Sequence, residues 1–368
     1  MTSLPGVLTP EQVAATGRSI ARMQEPSGAV PWTVGEHTDV WNHVESAMGL
    51  LVAGQVDAAE RALDWCRRTQ RFDGSWPMKI VAGEVEDASA ETNMSAYLAV
   101  GLWHHWLVRR DRATAERLWP AVRRGLDFVV SLQLPFGGIA WSQEWDADGP
   151  ALVNREALLA GSSSIFHSLR AGLALADLVG ERQPGWELAA GRLGHALRRH
   201  RDLFLDKATF SMDWYYPVLG GAVRGAEADA LLAARWDDFV VPDLGIRCVD
   251  TNPWVTGAET CELALTLDAM GDPDRARTLL AAMQHLRTED GSYWTGFVFP
   301  DEGNWPAEHT TYTAAAVLLA SDALSGTTGG AGIMRGEGLV VDVPAFGLEC
   351  GCVDESADEL AGDALDPA

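Results

Sequence analysis

The chain of 368 residues has no apolar run approaching the roughly 18 residues that a membrane-spanning helix needs, so membrane insertion is not expected. Positive charge is also scarce. Against 52 acidic residues stand 28 Lys and Arg, a net of -24, which argues against nucleic acid or an anionic membrane surface as the main partner. The start, MTSLPGVLTPEQ, lacks the basic region and apolar stretch of a secretory signal, and the chain is read as cytoplasmic. Five cysteines are too few and too scattered for a disulfide framework, and the lone C-x-C of Cys350 and Cys352 has no second ligand pair to make a zinc site. No cofactor is implied.

Charge is unevenly spread. From Ser325 onward there are nine acidic residues and one basic, a net of -8, which leaves -16 for the body. Residues 326–368 open glycine-rich and end acidic, and they are expected to be a flexible tail; its apolar patch, Gly338 to Leu348, could dock on the body. Residues 1–325 are read as one domain.

Tryptophan, with fifteen copies, is what the sequence has in excess. Six copies recur in one local setting, a loop with a small residue after a helical pattern: Trp32, Trp76, Trp141, Trp214, Trp254 and Trp294. Such recurrence marks a repeated supersecondary unit. Around each loop the pattern reads helix, loop, helix. The first helices are amphipathic, as in VDAAERALDWCRRTQ, with apolar residues at three- and four-residue steps and Arg opposite. The second are apolar almost all round, as in NHVESAMGLLVAG, TNMSAYLAVGLWHHWLV and TTYTAAAVLLASDAL, and are expected to be buried. The fourth unit's inner helix is placed on PVLGGAVRGAEADALLAARW and the fifth unit's outer helix on ALLAARWDDFVV. Six outer and six inner helices in alternation make an all-α (α/α)6 toroid.

Polar and aromatic groups crowd the N-terminal approaches of the inner helices. They include Trp32, His37, Asp39, Trp41, Asn42 and Glu45; Asp87, Glu91 and Asn93; Glu156; Asp213, Trp214, Tyr215 and Tyr216; Trp254 and Glu259; and Trp294, Trp305, Glu308, His309 and Tyr312. Helix capping accounts for some of the acids, because carboxylates satisfy unpaired N–H groups and complement the helix dipole. Capping does not call for flat aromatic faces beside them. Acids interleaved with Trp suit a polyhydroxylated ligand, whose hydroxyls take carboxylate hydrogen bonds and whose C–H faces stack on rings. A glycan or small-molecule substrate at this end is the reading adopted.

The stretch NMSAYLAVGLWHHWLVRRDRATAERLWPAVRRGLDFVVSLQ, with AGSSSIFHSLRAGLALADLVG and the last inner helix, resembles glucoamylase-like enzymes of the six-hairpin glycosidase clan over most of residues 30–325. The resemblance implies glycoside hydrolysis by a carboxyl pair. Carried over by position, the acid falls on Glu144 in WSQEWDADG, with Asp146, Asp148 or Glu156 as alternatives, and the base on Glu302 in FVFPDEGNWPAEHTTY, with Glu308 second; Asp213 is a further catalytic candidate. A second resemblance runs through QRFDGSW (70–76), which fits the Q-x-x-x-G-x-W motif of squalene–hopene cyclases, with looser copies at Gln24/Gly28/Trp32 and Gln133/Gly137/Trp141. In that family the motif braces hairpins and carries no chemistry. The cyclase acid motif Asp-x-Asp-Asp is missing. Protein prenyltransferase β-subunits supply a third likeness, in which Glu259, Cys261 and His309 would stand at zinc-ligand positions. A terpenoid cyclase or prenyltransferase-like protein is therefore the alternative, and a non-catalytic binding toroid the second.

Overall fold

The computed structural model describes residues 2–340. Its outer ring consists of α1 (Pro10–Met23), α3 (Val56–Thr69), α6 (Arg112–Ser131), α8 (Pro184–Arg199), α10 (Gly225–Phe239) and α12 (Pro273–Ala282). Its inner ring consists of α2 (Val40–Val52), α4 with α5 (Thr92–Ala96 and Leu98–Arg109), α7 (Leu159–Val179), α9 (Ser211–Leu219), α11 (Gly257–Ala269) and α13 (Thr311–Ser325). The first and last inner helices, α2 and α13, pack so closely that a Cβ on Gly49 would lie 2.9 Å from the Ala315 Cα. The ring is closed.

Burial follows the sequence pattern. Outer α1 buries only the stripe Val13, Thr16, Gly17, Ser19 and Ile20, whereas α13 buries every residue from Thr311 to Ala323. A helix with no wet face has to lie inside such a ring. Side chains fix several helix starts: Thr9 and Gln12 form a capping box on α1, Asp39 caps α2, and Thr310 caps α13.

The Q-x-x-x-G repeat is a brace used three times. Gln70 donates through Nε2 to the Gly74 and Ala121 carbonyls at 2.9 and 2.8 Å, tying its turn to the next outer helix. Gln24 does the same to Gly28 and Ala58, and Gln133 to Gly137 and Ala189. Glycine is required in the turn: Gly74 has φ +98°, and a Cβ there would fall 2.1 Å from the Arg124 carbonyl oxygen.

The fourth hairpin departs from expectation. Its inner helix is α9, the aromatic SMDWYYPVL, and PVLGGAVRG is where that helix ends. Gly220 lies so close to the Ser163 carbonyl that a Cβ would be 2.2 Å from its oxygen, and Gly221 turns the chain at φ +89°. The segment GAEADALLAARWDDF is then outer helix α10, which starts at Gly225, five residues before the outer helix expected on ALLAARWDDFVV and inside the stretch expected to be inner helix.

The tail also differs. Residues 327–340 run as turns beneath the barrel, at the end opposite the aromatic loops, with Ile333, Met334 and Leu339 buried. Arg335 pairs with Asp268 at 2.6 Å, and Arg170 donates to the Val340 carbonyl at 2.8 Å. Apolar groups facing an otherwise open barrel end explain why this glycine-rich stretch packs. Residues 341–368, with Cys350 and Cys352 and most of the apolar patch, lie outside the described residues. Among the described residues no helix is long and apolar enough to cross a membrane.

Candidate active site

Six loops at the inner-helix N-termini surround the mouth of the barrel, and short antiparallel sheets stiffen four of them. On one side, β1 (Lys79–Val81) pairs with β2 (Glu84–Asp87), and β3 (Ala90–Glu91) pairs with β4 (Ser142–Asp146) and through it with β5 (Gly149–Asn154). On the other side a five-stranded sheet runs β6 (Val240–Val241), β7 (Gly245–Arg247), β8 (Trp254–Thr256), β9 (Gly296–Val298) and β10 (Gly303–Asn304). The second and third hairpins thus build one wall, and the fifth and sixth the wall opposite. The mouth cleft lies between these walls, where the first and fourth loops, residues 24–39 and 200–210, add no strand to either sheet.

The floor of the cleft is aromatic. Trp41 packs against Tyr97, Tyr216 and Tyr312 with ring centroids 5.8, 6.0 and 6.1 Å away. Beneath it Glu262, in the body of α11, accepts hydrogen bonds from Tyr215, from Tyr216 at 2.6 Å and from Tyr312 at 2.8 Å. Burial pushes its carboxyl up to about 7. Glu45 on α2 is also buried, with Tyr97 donating to it at 3.4 Å. Burial first, and then the neighbouring Glu262, hold Glu45 well above the usual carboxylate range. Met334 closes this chamber from below, leaving a space of about 10 Å³, room for about one water, beside Ser164 and His167.

Two acids stand higher, on the side of the first two hairpins. Asp39 is held by its cap, accepting from the Asn42 N–H at 2.9 Å and from Asn42 Nδ2, with His37 Nε2 at 3.6 Å. Glu91 sits at the start of α4 and makes no capping bond. Burial, then the charge of Asp39, push the Glu91 carboxyl up to about 8, so it carries its proton at neutral pH. Opposite, on the first turn of α11, Glu259 is partly exposed and lies close to the Cys248 thiol. In a ring of six, the second and fifth inner positions face each other.

The other expected site residues divide into three groups. Around the mouth, Trp32 stacks on His37 and donates through Nε1 to Glu308 at 2.9 Å; Trp294 meets His309 edge-on at 4.1 Å; and Trp254 meets Trp305 at 5.1 Å. Asn93 is buried behind Glu91 with an Oδ1 that has no protein partner among the described residues. Set back from the centre are Glu144, Asp146, Glu156 and Glu302, all exposed, the last on a hairpin turn at φ +48°, and Asp87, which caps its own turn at the Ser89 N–H. These stand on loops rather than on the barrel floor.

The third group points away. Trp214 is buried against Phe239 at 5.0 Å, and its Nε1–H donates to the Leu231 carbonyl, so it serves the α9–α10 interface rather than the mouth. Asp213 accepts from the Ala160 N–H at 3.1 Å at the start of α7 and faces a side groove; burial lifts its carboxyl to about 6. Tyr215 is fully buried beneath the floor. Cys261 is buried too, its thiol pushed well up by burial, and among the described residues no three His, Cys, Asp or Glu side chains group as metal ligands. Glu262 and Tyr97 were missed by reading their helices as purely apolar.

A closed (α/α)6 ring with acids and tryptophans gathered at one mouth is the build of a carbohydrate-active enzyme. Comparison with known proteins gives the class its content. The chain is 58% identical over 353 residues to the MMP endo-(1,4)-3-O-methyl-alpha-D-mannosidase of Mycolicibacterium hassiacum, covering 95% of this chain and 96% of that one. It belongs to that family and is a glycoside hydrolase. No protein-family model matches the chain. Among solved structures it is similar to a glycosidase (TM-score 0.67, 14% identity, covering 86% of this chain and 96% of that one). It is also similar to a D-mannose isomerase (TM-score 0.60, 11% identity, 87% and 98%) and an alpha-amylase from Clostridium perfringens (TM-score 0.63, 10% identity, 87% and 99%). These last three likenesses show the fold alone, and they span different reactions.

Proposed function

We propose that the protein is an endo-acting α-mannosidase that cleaves (1,4) bonds in a glycan containing 3-O-methylmannose, the substrate class in the name of its relative. Glu91 is the acid and Glu259 the opposing carboxylate, in place of Glu144 and Glu302, whose exposed hairpin positions suit a carboxyl pair less well. What supports this assignment is placement: Glu91 at the N-terminus of the second inner helix faces Glu259 on the first turn of the fifth across the ring, and burial keeps Glu91 protonated up to about pH 8. As the C1–O4 bond breaks, Glu91 gives its proton to the departing oxygen. Glu259 either takes a proton from the attacking water or attacks C1 itself. Trp41 supplies the flat face for the sugar ring, and Asp39 acts on Glu91 through its charge.

The test is leaving-group dependence. Glu91→Gln should lose about 10²–10⁴-fold in kcat on a methylated mannooligosaccharide, the usual worth of a general acid. It should retain most of its rate on the corresponding glycoside of an acidic phenol, which departs unprotonated. Equal losses on both substrates would remove Glu91 from the acid role. Intact substrate after prolonged incubation with the wild type would reject the substrate class.

A further inference from the structure

Eight large hydrophobic side chains are well exposed among the described residues, and seven of them lie at the mouth end of the barrel; only Val340 lies at the other. Surface apolar groups scattered singly are ordinary, but confinement to one end is not. Their positions follow the cleft. Phe72, Val85 and Leu152 stand on the wall built by the second and third hairpins, and Trp305 on the wall opposite. Val34 and Phe210 lie on the first and fourth loops, which stand across the ring from each other between the two walls. Their exposure runs from 41% at Phe210 to 80% at Phe72. Phe72 is further propped by Trp145, 5.7 Å away, itself capped by the Arg71 guanidinium at 4.0 Å.

We infer that this collar is a binding surface for the O-methyl groups of a glycan chain lying along the whole cleft, beyond the sugar being cleaved. The inference rests on the substrate class proposed above and concerns binding alone. A site for an unmethylated mannan would present donors and acceptors at these positions, since each free hydroxyl needs a partner. A methyl ether has lost its donor and offers an apolar cap, which gains from Val, Leu, Phe and Trp and nothing from a carboxylate. An acidic protein also favours a neutral chain. Because apolar groups stand on both loops between the walls, the bound chain lies across the whole mouth, as endo cleavage requires.

The experiment is titration calorimetry with two α-(1,4)-mannooligosaccharides of equal length, about ten residues, one 3-O-methylated and one not, on the Glu91→Gln protein, which leaves the glycan intact, and on the same protein carrying Val34→Ser/Phe72→Ser/Leu152→Ser. Loss of three methyl-sized contacts should raise the Kd for the methylated chain about tenfold and leave that for the unmethylated chain within about twofold. A matching Tm shows that the exposed substitutions leave the fold intact. Equal Kd values with and without the three substitutions for the methylated chain, or a Glu91→Gln protein that binds both chains alike, would overturn the collar. A wild type that binds the methylated chain tightly but never cleaves it would leave the collar standing and reject the hydrolytic assignment.

Discussion

Glu91 should make the protein less stable at the pH where it works. Burial and the charge of Asp39 push its carboxyl up to about 8 in the folded chain, against an ordinary glutamate value of 4.5. The unfolded chain therefore releases this proton first. The stability associated with the neutral form is complete below about pH 4.5 and is lost steadily as pH rises toward 8. At 1.36 kcal/mol per unit, the loss between pH 4 and pH 7 comes to about 3 kcal/mol, reduced toward 1–2 kcal/mol by the water that reaches the partly exposed side chain. Glu91→Gln keeps the shape and stays neutral throughout. Variant and wild type should then unfold alike near pH 4, and the variant should be more stable by about 1–3 kcal/mol near pH 7. In scanning calorimetry that is a rise of several degrees in Tm, using roughly 2 °C per kcal/mol for a domain of this size. Taking the difference between the two proteins cancels every other titrating group. A Tm difference that is constant from pH 4 to pH 8, or a variant less stable than wild type at pH 7, would refute the argument that burial and Asp39 hold Glu91 neutral.

Two further expectations use the same structure. Asp39→Asn keeps a good helix cap but removes the charge that helps hold Glu91 up, so the alkaline limb of kcat/KM should move from about 8 toward neutrality, measured as a pH–rate profile. The residues packed beneath the barrel are tested by comparing the Tm of a chain cut after Val340 with that of one cut after Ser325. A cut after Ser325, which uncovers the sites of Ile333, Met334 and Leu339 and strands Asp268, should cost roughly 5 kcal/mol and lower it markedly.

The ring was legible because two periodicities alternate along the chain. Amphipathic helices such as α3 and all-round apolar helices such as α13 can satisfy their burial together in few ways, and an irregular spacing of loops does not disturb that logic. The braces were legible for a similar reason, since Gln and Gly four residues apart encode one local bond plus one bond to the next hairpin. The fourth hairpin was not. The helix was expected to begin at Pro217 and run on through GGAVRG, whereas it occupies SMDWYYPVL and stops at Gly220 and Gly221, and what requires glycine at 220 is the approach of the Ser163 carbonyl from another helix. Only tertiary packing carries that information.

The same limit governs the site. Position within the glycosidase resemblance pointed to Glu144 and Glu302, but a loop acid's place relative to the barrel depends on hairpin geometry, and both ended on exposed strands or turns. The more informative signal lay in the helices. Glu45 and Glu262 interrupt otherwise apolar segments, and a carboxyl buried in such a segment must be neutral, paired or hydrogen-bonded. Three tyrosines from two other helices meet Glu262, and none of them is its neighbour in sequence. An acid inside an apolar helix therefore announces that partners exist, while only the closed ring says which ones. In this barrel those partners set the floor on which Trp41 rests, and so the depth at which a sugar meets Glu91.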